Sequence, residues 1–188
     1  MKQFSGADIA AMEDRFRVFF VNALSGFKSA NLVGTTSPDG GDNLAMFSSV
    51  VHLGANPPLL GMVSRPHSVR RDTLENIEST GFYTVNHVHA SFFEAAHQAS
   101  ARYDAGVSEF EAVGLTPRRG ELHQAPYVAE SPLQIGLSHR QTIDLDINGT
   151  CLVIGEVVEV HLAEDAIAED GAIDLGRLGS LAVGGLDS

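Results

Sequence analysis

The chain has 188 residues, of which 44% are hydrophobic, and a formal net charge of -12 at pH 7. A surface this acidic repels nucleic acid and anionic membranes, which argues against both as partners. No apolar run approaches the ~18 residues that a membrane-spanning helix needs. The single cysteine, Cys151, cannot form an internal disulfide. We therefore expect a cytoplasmic protein with one domain, residues 1–188, because this length suits a single core.

The first predicted element is a helix in an N-terminal extension at about residues 5–25. Ser5 and Asp8 form a candidate capping box. Apolar residues then recur at helical spacing: Ile9, Met12, Phe16, Phe19, Phe20 and Leu24. Beyond this helix, "ANLVGTT" and "NLAMFSSVVHL" are strand-like and flank "SPDGGD", whose Pro, Asp and Gly residues favour a turn. "PPLLGMVS" is a further predicted strand, with its prolines at the entrance.

The middle of the chain mixes short helices and strands. "TLENIEST" is a predicted helix, capped by Asp72 or Thr73 and stopped by Gly81. "FYTVNHV" is strand-like, whereas "ASFFEAAHQASARY" and "SEFEAVGL" are predicted helices, and Gly114 ends the second. Residues 116–130 are expected to form a long surface connection.

Two strong strand patterns follow, "LQIGLSHRQTIDLDI" and "CLVIGEVVEVHL". Many strands with few interspersed helices predict a mainly β fold, a barrel with helical excursions. The sequence contains neither GxGxxG nor GxxxxGK[ST], so it does not support a Rossmann or P-loop nucleotide site.

One basic stretch, "SRPHSVRRDTLENI" at residues 64–77, places three of the twelve basic residues within seven positions: Arg65, Arg70 and Arg71. Guanidinium groups match phosphate oxygens. Hydroxyl groups and the N-terminus of a helix near Thr73 add further donors. From these residues alone, a phosphate cradle and a solvated charged turn before a helix both remain open.

Four pieces in order resemble the flavin reductase-like family: "NLVGTTSPDGGDNLAMFSSVVHLGANPPLLGMVS", "RRDTLENIESTGFYTVN", "AESPL" and "LVIGEVVEVHL". The resemblance covers about residues 28–165, with a continuation to residue 181. It implies an FMN-binding split β-barrel. It also implies that the turn at residues 64–73, called here the phosphate turn, holds the FMN phosphate. The implied contacts are Ser64, Arg65, Ser68, Arg70, Arg71 and Thr73, of which Arg71 and Thr73 match the family best.

The segment "AMFSSVV" resembles the family strand that runs beside the flavin ring. By that resemblance Phe47, Ser48, Ser49 and Val50, called here the ring segment, offer hydrogen bonds to the polar edge of the ring. The alternative is an ordinary strand carrying two serines. Asn86 also approaches the flavin by this interpretation, and a turn at the end of a strand is its alternative role.

The resemblance implies a homodimer with the flavin near its interface. It also implies that NADH or NADPH reduces the flavin, and that an oxygenase or another electron acceptor is a partner. No catalytic side chain is predicted, since flavin carries the redox chemistry itself. One departure is "INGTC", where reductases of the family often carry a Gly-Asp-His stretch that serves nicotinamide. An alternative is therefore a non-catalytic FMN electron-transfer protein, and pyridoxamine phosphate oxidation is a more distant third.

Histidine and cysteine residues offer rival sites. His87 and His89 are expected on one face of a strand, where they could hold a metal, although a surface or ring-side role is favoured because no partner ligand shows recognisable spacing. His139 could contact nicotinamide or simply be exposed. Cys151 is expected to fill the core. We predict no metal site and no covalent catalyst.

Overall fold

A computed structural model describes residues 1–66, 72–101, 103 and 107–186. Its strands are β1 (Lys28–Ser29), β2 (Asn31–Thr36), β3 (Asp42–Phe47), β4 (Val50–Ala55), β5 (Pro58–Ser64), β6 (Phe82–His87), β7 (Pro117–Arg118), β8 (Tyr127–Val128), β9 (Leu133–Leu145), β10 (Thr150–Leu162) and β11 (Ala182–Val183). Its α-helices are α1 (Gly6–Ala10), α2 (Asp14–Ala23), α3 (Asp72–Thr80), α4 (Phe93–Gln98) and α5 (Glu109–Val113).

Seven strands form one antiparallel sheet in the order β3-β2-β6-β9-β10-β5-β4. The two edge strands, β3 and β4, are consecutive in the chain and are joined by Ser48 and Ser49 alone. A link this short spans roughly 10 Å at most, so the two edges of the sheet must come together. The sheet therefore curls into a barrel that is split between β3 and β4. This confirms the predicted mainly β split barrel.

The barrel encloses a core built from the inward faces of its strands. One cluster inside it contains Val33, Met62, Tyr83, Leu137 and Val153, which are at most 2% exposed. α3 lies across β2 and β3 and buries Leu74 and Ile77 in the same cluster. Gly81, with φ of 77°, ends this helix as predicted. Packing of α3 against the edge of the split brings its first turn close to β3.

The predicted N-terminal helix is present as two shorter helices. Ser5 and Asp8 form the predicted capping box of α1, and Glu13 caps α2 by accepting a hydrogen bond from the Phe16 N–H group. Neither helix contains a buried residue. β1 follows them and pairs with β11, which ties residues near both ends of the chain together.

The prediction of a surface connection at residues 116–130 is wrong. This segment contains β7 and β8, which pair with each other, and its His123, Ala125, Tyr127 and Val128 side chains are at most 5% exposed. The segment is buried because Gly34 on β2 and Gly136 on β9 leave room for it. No helix within the described part of the chain is long and apolar enough to cross a membrane.

Candidate functional site

The ring segment is the crossing from one edge of the split barrel to the other. Phe47 ends β3 and Val50 begins β4, and all four residues of the segment are half-buried. The Ser49 hydroxyl group donates to the Val63 carbonyl oxygen over 2.8 Å. The Val63 N–H group lies 3.4 Å from the Ser49 carbonyl oxygen. These contacts hold the ring segment against the end of β5, where the phosphate turn begins.

β3 is an edge strand, so the sheet leaves some of its backbone groups unpaired. A neighbouring helix covers these groups at one end of β3 but does not reach the ring segment at the other. The Glu109 carboxylate of α5 accepts a hydrogen bond from the Leu44 N–H group over 3.1 Å. Burial raises the pKa of Glu109, and the bond from Leu44 opposes this rise. α5 therefore covers the edge of β3 at Leu44, while the ring segment lies beyond this cover.

The first residues of the phosphate turn face in two directions. Ser64 is 4% exposed and its side chain lies against the Cys151 thiol, whose pKa is raised by burial. Arg65 is exposed and has no ion pair or hydrogen bond with any side chain in the described ranges. Ser68, Arg70 and Arg71 lie outside the described residues. The exposed Arg65 thus follows two residues after Val63, which is bonded to the ring segment.

Thr73 connects the other end of the phosphate turn to the start of β3. It lies in the first turn of α3, is 8% exposed, and its Oγ1 atom accepts a hydrogen bond from Asn43 Nδ2 over 3.1 Å. Asn43 belongs to β3, which leads into the ring segment. The structure thus places Ser64 and Arg65 next to the strand end that holds the ring segment, and Thr73 at the start of β3, four residues before Phe47. The residues present fit a ligand with a planar polar edge and an anionic tail.

Two asparagines at this site were missed by sequence reasoning. Asn43 joins Thr73 to the sheet. Asn31 is the cross-strand partner of Phe47, and its Nδ2 atom donates to the Phe47 carbonyl oxygen over 3.4 Å. Asn31 Oδ1 is buried without a partner among the described residues. Asparagine has low strand propensity, so the two asparagines within β2 and β3 were the sequence signal that could have indicated these roles.

Asn86 is fully buried inside β6, and its whole side-chain amide is engaged within the chain. Its Oδ1 atom accepts from the Val128 N–H group over 3.0 Å. Its Nδ2 atom donates to the Leu32 carbonyl oxygen and to Thr84 Oγ1 over 3.0 and 2.9 Å. Asn86 joins β2 and β8 to β6, and the structure does not bring it to the ring segment. Its contact with flavin stays a prediction.

His87 and His89 do not share a strand, contrary to the sequence interpretation. β6 ends at His87, whose Nδ1 atom lies 3.0 Å from Ser180 Oγ, and burial lowers its pKa. His89 instead precedes a 3₁₀ turn and contacts Ser91 over 2.8 Å. His139 Nε2 lies 2.9 Å from Thr142 Oγ1. No group of three metal-binding side chains occurs in the part of the chain that the structure describes.

A second polar centre, called here the Tyr127 cluster, lies on β7, β8 and β10 and the segment before β8. The Tyr127 hydroxyl group donates to Glu159 Oε2 over 2.7 Å and lies 3.2 Å from His123 Nε2. Glu159 Oε1 lies 3.2 Å from His161 Nε2, which is close enough for an ion pair, but the two groups are not aligned as a hydrogen bond. The Arg118 guanidinium group covers the Tyr127 ring, 4.7 Å from its centroid.

Burial and mutual contacts set the protonation of the Tyr127 cluster. Burial raises the pKa of Tyr127 and lowers that of His123, while the hydrogen bond from Tyr127 lowers the pKa of Glu159. A neutral tyrosine hydroxyl group therefore donates to a carboxylate near neutral pH. The side chains of this cluster are directed at one another.

Comparisons with known proteins agree with this geometry. A Shewanella frigidimarina protein, assigned as a flavin reductase with a split barrel domain, is 51% identical and superimposes with a TM-score of 0.96 over 100% of this chain and 93% of its own. Nitrilotriacetate monooxygenase component B from Bacillus cereus shares the fold, with 23% identity and a TM-score of 0.88 over 100% of this chain and 94% of its own.

An uncharacterised protein from Deinococcus radiodurans is 30% identical over 149 residues, which are 74% of this chain. The match spans 65% of that relative's length. The family model for the flavin reductase like domain matches residues 24–177. The range includes the ring segment, the phosphate turn and all of the strands β2 to β10. This chain belongs to the flavin reductase-like family.

Proposed function

We propose that this protein binds FMN in the split of the barrel and that NADH or NADPH reduces it there. The observation that carries the proposal is the contact between the ring segment and the start of the phosphate turn, made by the hydrogen bonds between Ser49 and Val63. Family membership supports a flavin and a nicotinamide nucleotide. FMN rather than FAD is favoured by the basic, hydroxyl-rich composition of the phosphate turn.

Each part of the site has a defined task in this proposal. The backbone of the ring segment and the Ser48 hydroxyl group meet the polar edge of the flavin ring. Arg65 and Thr73, with Arg71, donate to the phosphate, and the positive charge of the two arginines offsets the negative field of an acidic protein. The flavin supplies the two-electron chemistry when bound. The chain therefore needs to bind and orient it, and no general acid or base of its own is required.

We also propose a homodimer, supported by an apolar face on the outside of the barrel beside the split. The cross-strand register places the rows Val63–Leu152–Ile143 and Val51–Gly61–Ile154 on this outer face. Val51 is 49% exposed and Val63 is 37% exposed. A contiguous apolar sheet face of this kind is typical of a protein–protein interface. Sedimentation equilibrium at micromolar concentration is expected to give twice the mass of the chain, and a monomer would contradict the dimer.

A non-catalytic FMN electron-transfer protein remains the second candidate, because the turn between β9 and β10 lacks a histidine. In this turn Asn148 Oδ1 accepts from the Thr150 N–H and hydroxyl groups over 3.1 and 2.7 Å. The turn thus satisfies its polar groups internally. An oxygenase or another electron acceptor is proposed as partner of the reduced flavin, and the component B neighbour supports the oxygenase.

Two measurements test the proposal. The first compares the affinities of FMN and riboflavin, which differ by the phosphate group, by titration of flavin fluorescence. FMN is expected to bind at micromolar concentration or tighter and riboflavin much more weakly, so equal affinities would remove the phosphate turn from the site. The second follows the absorbance of bound FMN after NADH or NADPH is added without oxygen. Bleaching within seconds supports the reductase. Bleaching by dithionite alone supports the electron-transfer protein.

A further inference from the structure

We propose that Asn43 is a positioning residue that directs the Thr73 hydroxyl group at the flavin phosphate. The inference rests on the proposed FMN site and adds a residue outside the phosphate turn and the ring segment. Asn43 lies on β3, four residues before Phe47, and its side chain points towards the first turn of α3. It therefore links the strand that carries the ring segment to the helix that follows the phosphate turn.

The hydrogen bonds around Asn43 have a defined direction. Its Nδ2 atom donates to Thr73 Oγ1 and to Thr35 Oγ1, each over 3.1 Å. Asn76 Nδ2 also donates to Thr35 Oγ1 over 3.1 Å, so Thr35 accepts from both asparagines. Thr35 is fully buried and Asn76 is 6% exposed. This buried anchor fixes the amide of Asn43 in place.

The direction of the bond to Thr73 determines what Thr73 can do. A threonine hydroxyl group carries one hydrogen atom and two lone pairs, whereas an amide nitrogen can only donate. Because Thr73 Oγ1 accepts from Asn43, its own hydrogen atom is turned away from Asn43. Thr73 lies in the first turn of α3, where backbone N–H groups already favour an anion. The hydroxyl group is therefore held ready to donate to a phosphate oxygen.

The charge of the surroundings explains why a neutral donor suits position 43. Asp42 precedes Asn43 in the chain, and Asp72 lies at the start of α3. The Glu109 carboxylate accepts a hydrogen bond from the N–H group of the next residue, Leu44. A carboxylate at position 43 would accept from Thr73, which would turn the hydroxyl hydrogen inwards and add another negative charge. The amide of asparagine avoids both effects.

A double-mutant cycle tests this role through the affinities of FMN and riboflavin. Asn43→Ala, Thr73→Val and the double variant are titrated with each flavin by fluorescence. We expect Asn43→Ala to weaken FMN binding three- to tenfold and to leave riboflavin binding unchanged. We expect no further loss when Asn43→Ala is added to Thr73→Val, because the two residues then act as one unit. Thr35→Ser is the matched control, since it keeps the hydroxyl group that accepts from Asn43 and should leave FMN affinity unchanged.

The outcomes separate this inference from the proposed site. If the unmodified protein prefers FMN over riboflavin and Asn43→Ala does not change that preference, Asn43 has no positioning role while the FMN site stands. Additive losses in the cycle, or equal losses of FMN and riboflavin affinity, would also overturn the role. A protein without any preference for FMN would overturn the phosphate site and this inference together. Circular dichroism of each variant confirms that it is folded before it is titrated.

Discussion

The split of the barrel and the Tyr127 cluster are both rich in polar side chains, yet they use them in opposite ways. In the Tyr127 cluster, the hydroxyl, carboxylate and imidazole groups contact one another. At the split, Arg65 is exposed without a partner in the described ranges, and Ser48 makes no hydrogen bond there. Polar groups that are bonded to one another, as Tyr127 and Glu159 are, stabilise the fold, whereas donors without a partner are available to a ligand.

The comparison predicts that substitutions at the two regions have separable effects. Changes at the Tyr127 cluster should lower the free energy of unfolding and leave flavin affinity intact in the folded protein. Changes at the split should weaken flavin binding and leave the free energy of unfolding almost unchanged. A substitution with both effects would show that the two regions are coupled.

Gly136→Ala is expected to have the largest effect. A Cβ atom at position 136 would meet the Tyr127 hydroxyl group and lie 2.6 Å from His123 Nε2. Because both rings are held by neighbours, the added methyl group forces the cluster apart, at a cost of about 3 kcal/mol in the free energy of unfolding. Urea denaturation measures this loss.

The matched control for this glycine is Gly54→Ala on β4, beside the split. The nearest atom to a Cβ atom there is the Pro57 carbonyl oxygen at 3.4 Å, an ordinary contact. We expect a change below about 1 kcal/mol. Equal losses from both alanines would mean that the Tyr127 cluster can rearrange around an extra methyl group.

Arg71→Ala is expected to have the largest effect on binding. The family resemblance assigns Arg71 to the phosphate, and loss of a charge-assisted hydrogen bond costs ~1.5–3 kcal/mol, or roughly ten- to hundredfold in FMN affinity. Riboflavin affinity and the free energy of unfolding should not change. Arg140→Ala, which removes an exposed guanidinium group paired with Glu156, is the control for the loss of one positive charge. A similar loss of FMN affinity in both variants would point to net charge rather than a contact.

Periodicity and glycine positions predict most of the barrel. β2, β5, β6, β9 and β10 lie where alternating or apolar runs place strands, and the helix stops at Gly81 and Gly114 have positive φ angles. These features depend on local backbone preferences. They can therefore be inferred without knowing which strands are neighbours.

The features that sequence reasoning missed depend on contacts between distant residues. Tyr127 is buried because Gly120 and Gly136 leave space beside it: a Cβ atom at Gly120 would lie 2.9 Å from its ring and 2.6 Å from Glu159 Oε2. Asn43 meets Thr73 although 30 residues separate them. No local pattern contains such pairings. The ring segment was found only through resemblance to a family, whereas the residues of the phosphate turn alone left a phosphate cradle and a solvated turn both open.

Tyr127→Phe is expected to have an intermediate effect on stability. It removes the hydrogen bond to the Glu159 carboxylate and leaves His123 Nε2 without its partner, at a cost of about 1.5 kcal/mol. FMN affinity should be unchanged, as the comparison of the two regions requires. Urea denaturation and FMN titration measure the two quantities.

The same variant has a predicted pH dependence. The bond from Tyr127 lowers the pKa of Glu159 in the folded protein. This bond therefore stabilises the fold above about pH 4.5, the pKa of Glu159 in the unfolded chain. The stabilisation is lost as the pH falls through the lower pKa of Glu159 in the folded protein. The gap in stability between the unmodified protein and Tyr127→Phe should narrow as the pH falls below about 4.5. A gap that is constant with pH would mean that Glu159 does not depend on Tyr127.

Glu109→Gln, at the covered end of the split, is expected to have the smallest effect. Burial raises the folded pKa of Glu109 above 4.5, so the folded state holds its proton more tightly than the unfolded state. The contribution of the protonated Glu109 to stability is complete below about pH 4.5. It is lost as the pH rises through the higher pKa of Glu109 in the folded protein. Glutamine keeps a carbonyl oxygen for the Leu44 N–H group and does not ionise.

We therefore expect Glu109→Gln to gain stability relative to the unmodified protein between pH 4.5 and pH 7, by about 1 kcal/mol or less. Urea denaturation at several pH values measures the difference, and Glu111→Gln, at an exposed position on the same helix, is the matched control. Parallel stability curves for Glu109→Gln and the unmodified protein would mean that the carboxylate ionises as freely in the fold as outside it. Glu109 bonds the β3 backbone at Leu44 and not the Asn43 or Thr73 side chains, so the effect on FMN affinity should be small and favourable, because one negative charge near the proposed phosphate site is removed. A loss of FMN affinity would mean that the Glu109 carboxylate itself supports the site.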